Sequence, residues 1–357
     1  MAFLKKINSL RRKITKSITS NIGQNKAAQS GDFDQIDAST VKKVLITRPN
    51  HRLGNMLLIT PIVQEIKTIF PNAKVDIFVK GTVANVIFEN YDNVDAIISL
   101  PKKHFKQLNK YLSGWLKLKK VKYDLVINCI EYSSSGKLST QFANGKHKYF
   151  GPVITDDEGD VNEASRHSAK KTIFGLRTFL AKSGVAIRED DIPTLNLKLS
   201  TDELATGKKA LHYILKSEQK TISLFTYATG NKCYSEAWWT DFYNALKRHF
   251  PDYLFIEILP VENISMLNFS IPTFYSKDVR EIAGVIANTH LFIGADSGMM
   301  HLASASQAKT IGLFSVTDVN TYSPYGNGST AIDTNKNNTE ASMEIVKAAL
   351  KNEQEIV

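Results

Sequence analysis

The sequence predicts an α/β protein made of two Rossmann-like domains that face each other across a cleft. Three observations carry that expectation. The chain has 357 residues, which suggests two domains at about 150 residues each. Short, β-branched apolar runs alternate with helical segments, as in parallel sheets covered on both faces. The alternation occurs twice, with a polar, proline-containing stretch between the rounds. With 43% hydrophobic and 22% charged residues, ten prolines and nineteen glycines, the composition is that of a globular protein. The two cysteines, Cys129 and Cys233, form neither a disulfide framework nor a zinc-type cluster, so a reducing compartment and no metal site are expected. No apolar run approaches the roughly 20 residues that span a bilayer.

The first round starts at Val41. Val44–Thr47 is a β-branched strand, followed by a loop over Arg48–Asn55 and a helix to about Phe70, with Thr60 as N-cap and Pro61 as first helical residue. Next come strand Lys74–Val79, a helix near Thr82–Glu89, strand Ala96–Leu100, a basic helix near Phe105–Lys120 and strand Asp124–Ile130. Residues 152–165 carry five acids and read as a solvated loop, before a helix near Ser168–Ser183. Asp190–Thr201 reads as the inter-domain connection. The second round has strands Thr221–Tyr227, Tyr253–Ile258, Leu291–Gly294 and Thr310–Phe314, with helices near Glu236–His249, Asp278–Asn288 and Met299–Ser306. A last helix covers about Glu340–Lys351. The expected units are a basic segment and linker at 1–40, domains at 41–195 and 196–335, and a terminal helix at 336–357.

The formal charge is +10, and it is unevenly spread. Residues 1–22 hold Lys5, Lys6, Arg11, Arg12, Lys13 and Lys16 and no acid, while Phe3, Leu4, Ile7, Leu10, Ile14 and Ile18 recur at helical spacing. Such an amphipathic basic helix fits an anionic membrane surface, and equally a face of this protein or a partner. Charges interrupt the apolar stripe too often for a secretory signal. Residues 19–40 read as a flexible linker. No nucleic-acid partner is expected, because the body shows no basic cluster interleaved with aromatics.

Ligands of such sheets bind outside the carboxyl ends of the strands. There the most informative segment is Gly294–Ala305, Gly-Ala-Asp-Ser-Gly-Met-Met-His-Leu-Ala-Ser-Ala. Gly298 permits close backbone approach, the N–H groups from Ser297 to Met300 form a helix start suited to phosphate, and Asp296 and His301 are delivered to the same mouth. The plainer alternative is a capped helix start, with Asp296 or Ser297 as N-cap and His301 packed inward.

This segment resembles the signature of glycosyltransferase family 9, the bacterial heptosyltransferases. Arg52–Pro61, Phe70–Val79, Lys232 in the loop after the first strand of the second half, Thr310–Phe314 and the Ser323–Gly326 loop resemble further family features in the same order. The likeness runs from about Val41 to the carboxyl end. It implies a GT-B fold and an inverting, metal-independent transfer of a sugar, without a resident cofactor, from a nucleotide-sugar donor. The family's typical donor is ADP-heptose and its typical acceptor is the lipopolysaccharide core. The implied donor-side residues are Lys232, Asp296, Ser297, Gly298 and His301, with Thr229 or Gly230 assisting, and Glu257 or Glu262 at the nucleoside. Arg52 and Gly54 fall in the acceptor-side loop. Lys137, Lys146, Lys148 and Arg166 are either acceptor contacts or solvated charges, and Trp238 and Trp239 read as core rather than as a base-stacking platform.

One departure bears on chemistry. The family's loop carries Gly-Asp, with the aspartate as general base, and this chain has Gly54-Asn55. An amide orients a hydroxyl but does not take its proton at neutral pH. Either His51 takes over, or Asn55 orients an acceptor that is already anionic, or transfer has been lost. The expected function is therefore an envelope glycosyltransferase, peripheral on the cytoplasmic face of the inner membrane and working on a lipid-linked acceptor. The alternatives are a non-catalytic nucleotide-sugar-binding or scaffold protein and an epimerase on the same architecture.

Overall fold

A computed structural model of the chain describes residues 33–102, 106–151, 166–188 and 190–351. The expected basic helix at 1–22 and the acidic loop at 152–165 lie outside the described residues. Among the described residues, two parallel sheets, of five and six strands, form the two halves.

The first sheet comprises β1 (Lys43–Arg48), β2 (Lys74–Lys80), β3 (Val94–Leu100), β4 (Tyr123–Asn128) and β5 (Gly145–Tyr149). Its helices are α1 (Leu53–Leu57), α2 (Thr60–Ile69), α3 (Val83–Ile87), α4 (Leu108–Lys120), α5 (Ser134–Phe142) and α6 (Ser168–Lys182). Central β1 is buried on both faces from Val44 to Thr47, as its continuous apolar run requires. Two expectations are corrected here. Helix already begins at Leu53, inside the segment read as a loop, and Thr60 is the first helical residue rather than the cap. The Thr60 hydroxyl donates back to the Leu57 carbonyl at 2.8 Å, bridging the break between α1 and α2. α5 and β5 were not legible. Gly-Lys-His-Lys-Tyr is a polar edge strand with no apolar run to mark it.

The second sheet comprises β6 (Thr221–Phe225), β7 (Leu254–Ile258), β8 (Thr273–Phe274), β9 (Leu291–Ala295), β10 (Thr310–Phe314) and β11 (Thr330–Asp333). Around it lie α7 (Thr201–Leu215), α8 (Glu236–His249), α9 (Val279–Ala287), α10 (Gly298–Ala305), α11 (Val319–Tyr322) and α12 (Thr339–Lys351). α7 was missed although its start signal is present: Ser200 and Glu203 form a reciprocal capping box. Trp239 is fully buried with Phe242, Met343 and Val346 in the core under α8 and α12, and Trp238 stacks on Tyr234 and Phe242. The tryptophans are core, as expected.

The connection between the halves is clamped from both sides. Leu195 and Leu197 are buried, and the Leu197 N–H donates to the Ala305 carbonyl at 2.7 Å. The Gln64 amide and Tyr91 hydroxyl, both from the first half, donate to the carbonyls of Thr194 and Asn196. At the centre is Arg280, the second residue of α9. Its guanidinium pairs with both oxygens of Glu203 and donates to the carbonyls of Val86, Leu197 and Lys198. Chiefly through this pairing, the Glu203 carboxyl is held at about 2. α7 and α9 cross at Gly207 and Gly284, where a methyl on Gly207 would lie 2.1 Å from the Gly284 carbonyl oxygen.

Removing a buried guanidinium from a half-buried carboxylate partner and three carbonyls costs about 1.5–3 kcal/mol. Urea unfolding of Arg280→Met is therefore expected to show a loss of about that size, with Arg280→Lys recovering less than half because an ammonium cannot reach the same five acceptors. A loss within about 0.5 kcal/mol would show that the clamp contributes little.

Candidate active site

Between the carboxyl ends of the two sheets lies a cleft of about 1040 Å³. Its walls come from the β1–α1 loop of one half and from the loops after β6, β7, β9 and β10 of the other. His51, Arg52, Gly54, Asn55, Thr229, Lys232, Glu262, Asp296, Ser297, Gly298 and His301 all line it. Residues of the second half, 174 or more positions beyond Asn55, meet the β1–α1 loop here because both sets of loops leave the carboxyl ends of their strands.

The residues expected on the donor side are ordered by one another. Lys232 ends a 3-10 turn, Gly230–Lys232, entered through Gly230 at φ 67°. Its ammonium donates to Asp296 Oδ2 at 2.5 Å. The Thr317 hydroxyl donates to the same oxygen, which fixes the carboxylate and directs Oδ1 elsewhere. Ser297 is the N-cap of α10, its hydroxyl accepting from the Met300 N–H at 3.4 Å, and His301 is buried. The plainer reading of this segment is thus correct in its geometry. It does not exclude the other, since the first N–H groups of a helix have no partner within it and Ser297 and Gly298 line the cleft. Of the two glutamates, Glu262 lines the cleft. Glu257 is buried behind it, bonded to the Thr226 and Ser265 hydroxyls at 2.5 Å, and burial raises its carboxyl above the usual range.

Asn55 faces the cleft from α1. Its Oδ1 accepts from the Arg48 guanidinium at 3.0 Å. A guanidinium only donates, so the amide's NH₂ is left for whatever occupies the cleft. Arg48 is largely buried, has one nitrogen, Nε, without a partner, and is held below its ordinary range by burial. His51 is exposed, and burial of its near side together with Lys80, Lys102 and Arg52 lowers its imidazole below the ordinary value. Lys137, Lys146, Lys148 and Arg166 do not line the cleft, and the Lys148 ammonium is taken by the Gln141 carbonyl. Thr317, Tyr322 and Lys277 line the cleft without having been singled out. Their position after strands of the second sheet was the available signal.

The two halves touch at the cleft floor. A methyl on Gly54 would lie 2.8 Å from His301 Cδ2, and one on Gly298 would lie 3.3 Å from the Gly54 nitrogen. Beside this contact, His167 caps α6 through Nδ1, which accepts from the Ala169 N–H. Its Nε2 is therefore the protonated nitrogen and donates to the Ser323 carbonyl at 3.0 Å. Burial pushes His167 and His301 down to about 4, from an ordinary value of 6.5.

Both histidines fold as neutral imidazoles, so the unfolded chain binds more protons below pH 6.5. Their contribution is complete above that pH and is lost as pH falls toward 4, at up to about 1.4 kcal/mol per pH unit for each. Denaturant midpoints measured from pH 7.5 to 4.5 are expected to fall, and His167→Asn is expected to flatten the profile. An unchanged slope in that variant would contradict the assignment.

Residues 277–351 match the family model described as glycosyltransferase family 9 (heptosyltransferase). That stretch contains Arg280, Asp296 to His301, Thr317 and the Ser323–Gly326 loop. Lipopolysaccharide heptosyltransferase 3 of Escherichia coli is 22% identical over 301 residues, covering 77% of this chain and 84% of its own length. The glycosyl transferase family 9 structure from Veillonella parvula aligns with a TM-score of 0.69 at 15% identity, over 89% of this chain and 99% of that one. E. coli heptosyltransferase WaaC with ADP aligns with a TM-score of 0.61 at 14% identity, over 86% and 99%. These structures share the two-domain GT-B arrangement. With the family match over residues 277–351, the curated relative and this common fold taken together, the chain is similar to the heptosyltransferases of glycosyltransferase family 9.

Proposed function

We propose that the chain transfers heptose or a related sugar, with inversion and without a metal, from an ADP-type nucleotide-sugar to a cell-envelope acceptor of the lipopolysaccharide-core kind. The observation that supports this most is the convergence of Lys232, Asp296 and the start of α10 on one wall of the cleft, opposite Asn55. An acceptor oxygen attacks the anomeric carbon from the face opposite the diphosphate. The bond from that carbon to the diphosphate oxygen breaks, and the electron pair leaves with the nucleotide. Lys232 and the N–H groups at Ser297 and Gly298 stabilise the charge that develops there. Asp296, with Oδ2 occupied by Lys232 and Thr317, offers Oδ1 to sugar hydroxyls. Glu262 stands at the nucleoside end of the wall. On the acceptor side, Asn55 donates to the acceptor oxygen, and His51, which lines the cleft as a neutral imidazole, takes the proton that a hydroxyl acceptor gives up as the new bond forms.

A non-catalytic donor-binding protein is the second reading, favoured by Asn55 alone. Binding of ADP does not separate the two, whereas its dependence on Lys232 tests the donor wall they share. Calorimetric titration with ADP is expected to show binding that weakens about tenfold or more in Lys232→Ala, as for loss of a charge-assisted hydrogen bond. Transfer is expected to persist in EDTA. Equal ADP affinity in Lys232→Ala would remove the donor site from this wall.

A further inference from the structure

Helix α4 carries a face that the fold leaves uncovered. Leu108, Leu112 and Leu116 stand 56%, 51% and 55% exposed. They sit at successive spacings of four, which puts them in one stripe about 12 Å long. The packed side of the helix lies next to this stripe. Leu118 is fully buried, Gly114 sits against Leu100, and Trp115 makes edge contacts with Phe78 and Phe142. The leucines are therefore not this helix's contribution to the core.

The charge around the stripe has one sign. Residues 101–122 contain eight lysines and no Asp or Glu. Between α4 and edge strand β3 lies a groove of about 360 Å³ that Lys110 and Lys117 line together with Asn109 and Ser113. Ser99, also on that groove, has a buried hydroxyl without a partner. The basic surface continues toward the cleft, because Lys102 and His51 both pack over Gly81 at the end of β2.

We propose that the exposed face of α4 is a docking surface for an anionic lipid bilayer. The leucines enter the interface, the lysines meet lipid phosphates, and the groove beside Ser99 takes a headgroup. Aliphatic side chains ringed by ammonium groups fit the boundary between acyl chains and headgroups. A single-stranded nucleic acid would call for exposed aromatic faces, and here the aromatic residue at the centre of the helix, Trp115, is turned inward. Docked in this way, α4 would hold the acceptor-side loop at the surface where a lipid-anchored acceptor lies. That last step rests on the transfer reading above, while the docking itself does not.

The test is sedimentation of the full chain with vesicles of phosphatidylcholine alone or containing phosphatidylglycerol. Binding is expected only with phosphatidylglycerol. Leu112→Glu/Leu116→Glu is expected to weaken it about tenfold or more with an unchanged melting temperature, since both side chains are exposed. Lys110→Glu/Lys117→Glu is expected to weaken it comparably. In Leu112→Trp, the fluorescence of the new indole is expected to be quenched by brominated lipid, which reports insertion at this site whatever other segments do. Failure to bind phosphatidylglycerol vesicles, full-strength binding by the leucine variant, or an unquenched indole would each overturn the proposal. So would binding of a single-stranded RNA that the lysine variant loses while its vesicle binding stays intact. None of these readouts needs a nucleotide or turnover, so they stand or fall apart from the transfer reading.

Discussion

The close approach of Gly54 and Gly298 is the contact on which the site depends. Each glycine lies in the first turn of a short helix, one in each half, and the backbones meet because neither residue carries a Cβ. His301, one turn further along α10, fills the space that a side chain at Gly54 would need. Without that approach, Asn55 and Asp296 would belong to two separate loop clusters. With it, they become opposite walls of one cleft. The clamp around Arg280 and the buried connection at Leu195 and Leu197 hold the halves in register behind this contact.

Charge is distributed differently on the two walls. On the proposed donor side, cation and anion neutralise each other: Lys232 pairs with Asp296, and Thr317 secures the shared oxygen. A diphosphate bound there, as the transfer proposal has it, would meet an ammonium already aimed and a helix start already open. The proposed acceptor side carries a largely buried Arg48 that meets Asn55, an amide, where the resemblance to family 9 implies a carboxylate. Asn55 consequently presents a donor instead of a proton acceptor. Under the transfer proposal that side suits an acceptor bearing negative charge, and the surface running out through Lys102 to α4 is positive, as Arg48 is.

Most of the architecture was legible in the sequence, because parallel strands buried on both faces read as continuous apolar runs. What escaped lacked that signal. β5 is polar, β8 has two residues, and α7 announced itself only through the capping box at Ser200 and Glu203. The donor wall was legible because Gly294 to Ala305 places small and polar residues where strand turns into helix. Thr317 was not, since its meaning lies in a contact with a residue 21 positions away. The choice between Glu257 and Glu262 also needed three dimensions. One is sealed by two hydroxyls and the other opens on the cleft. Composition likewise showed that α4 is basic, and only burial showed that its aromatics point inward and its leucines outward.

Turnover with the native Asn55 is the most direct test of the whole account. Radiolabelled ADP-heptose would be incubated with the protein and a lipopolysaccharide-core acceptor in EDTA, and the label followed into the acceptor together with its anomeric configuration. The account predicts one ADP released per sugar transferred, with inverted configuration at the anomeric carbon. Binding of ADP-heptose with no label reaching any envelope acceptor, including in Asn55→Asp, would contradict it and leave a protein that holds the donor without using it.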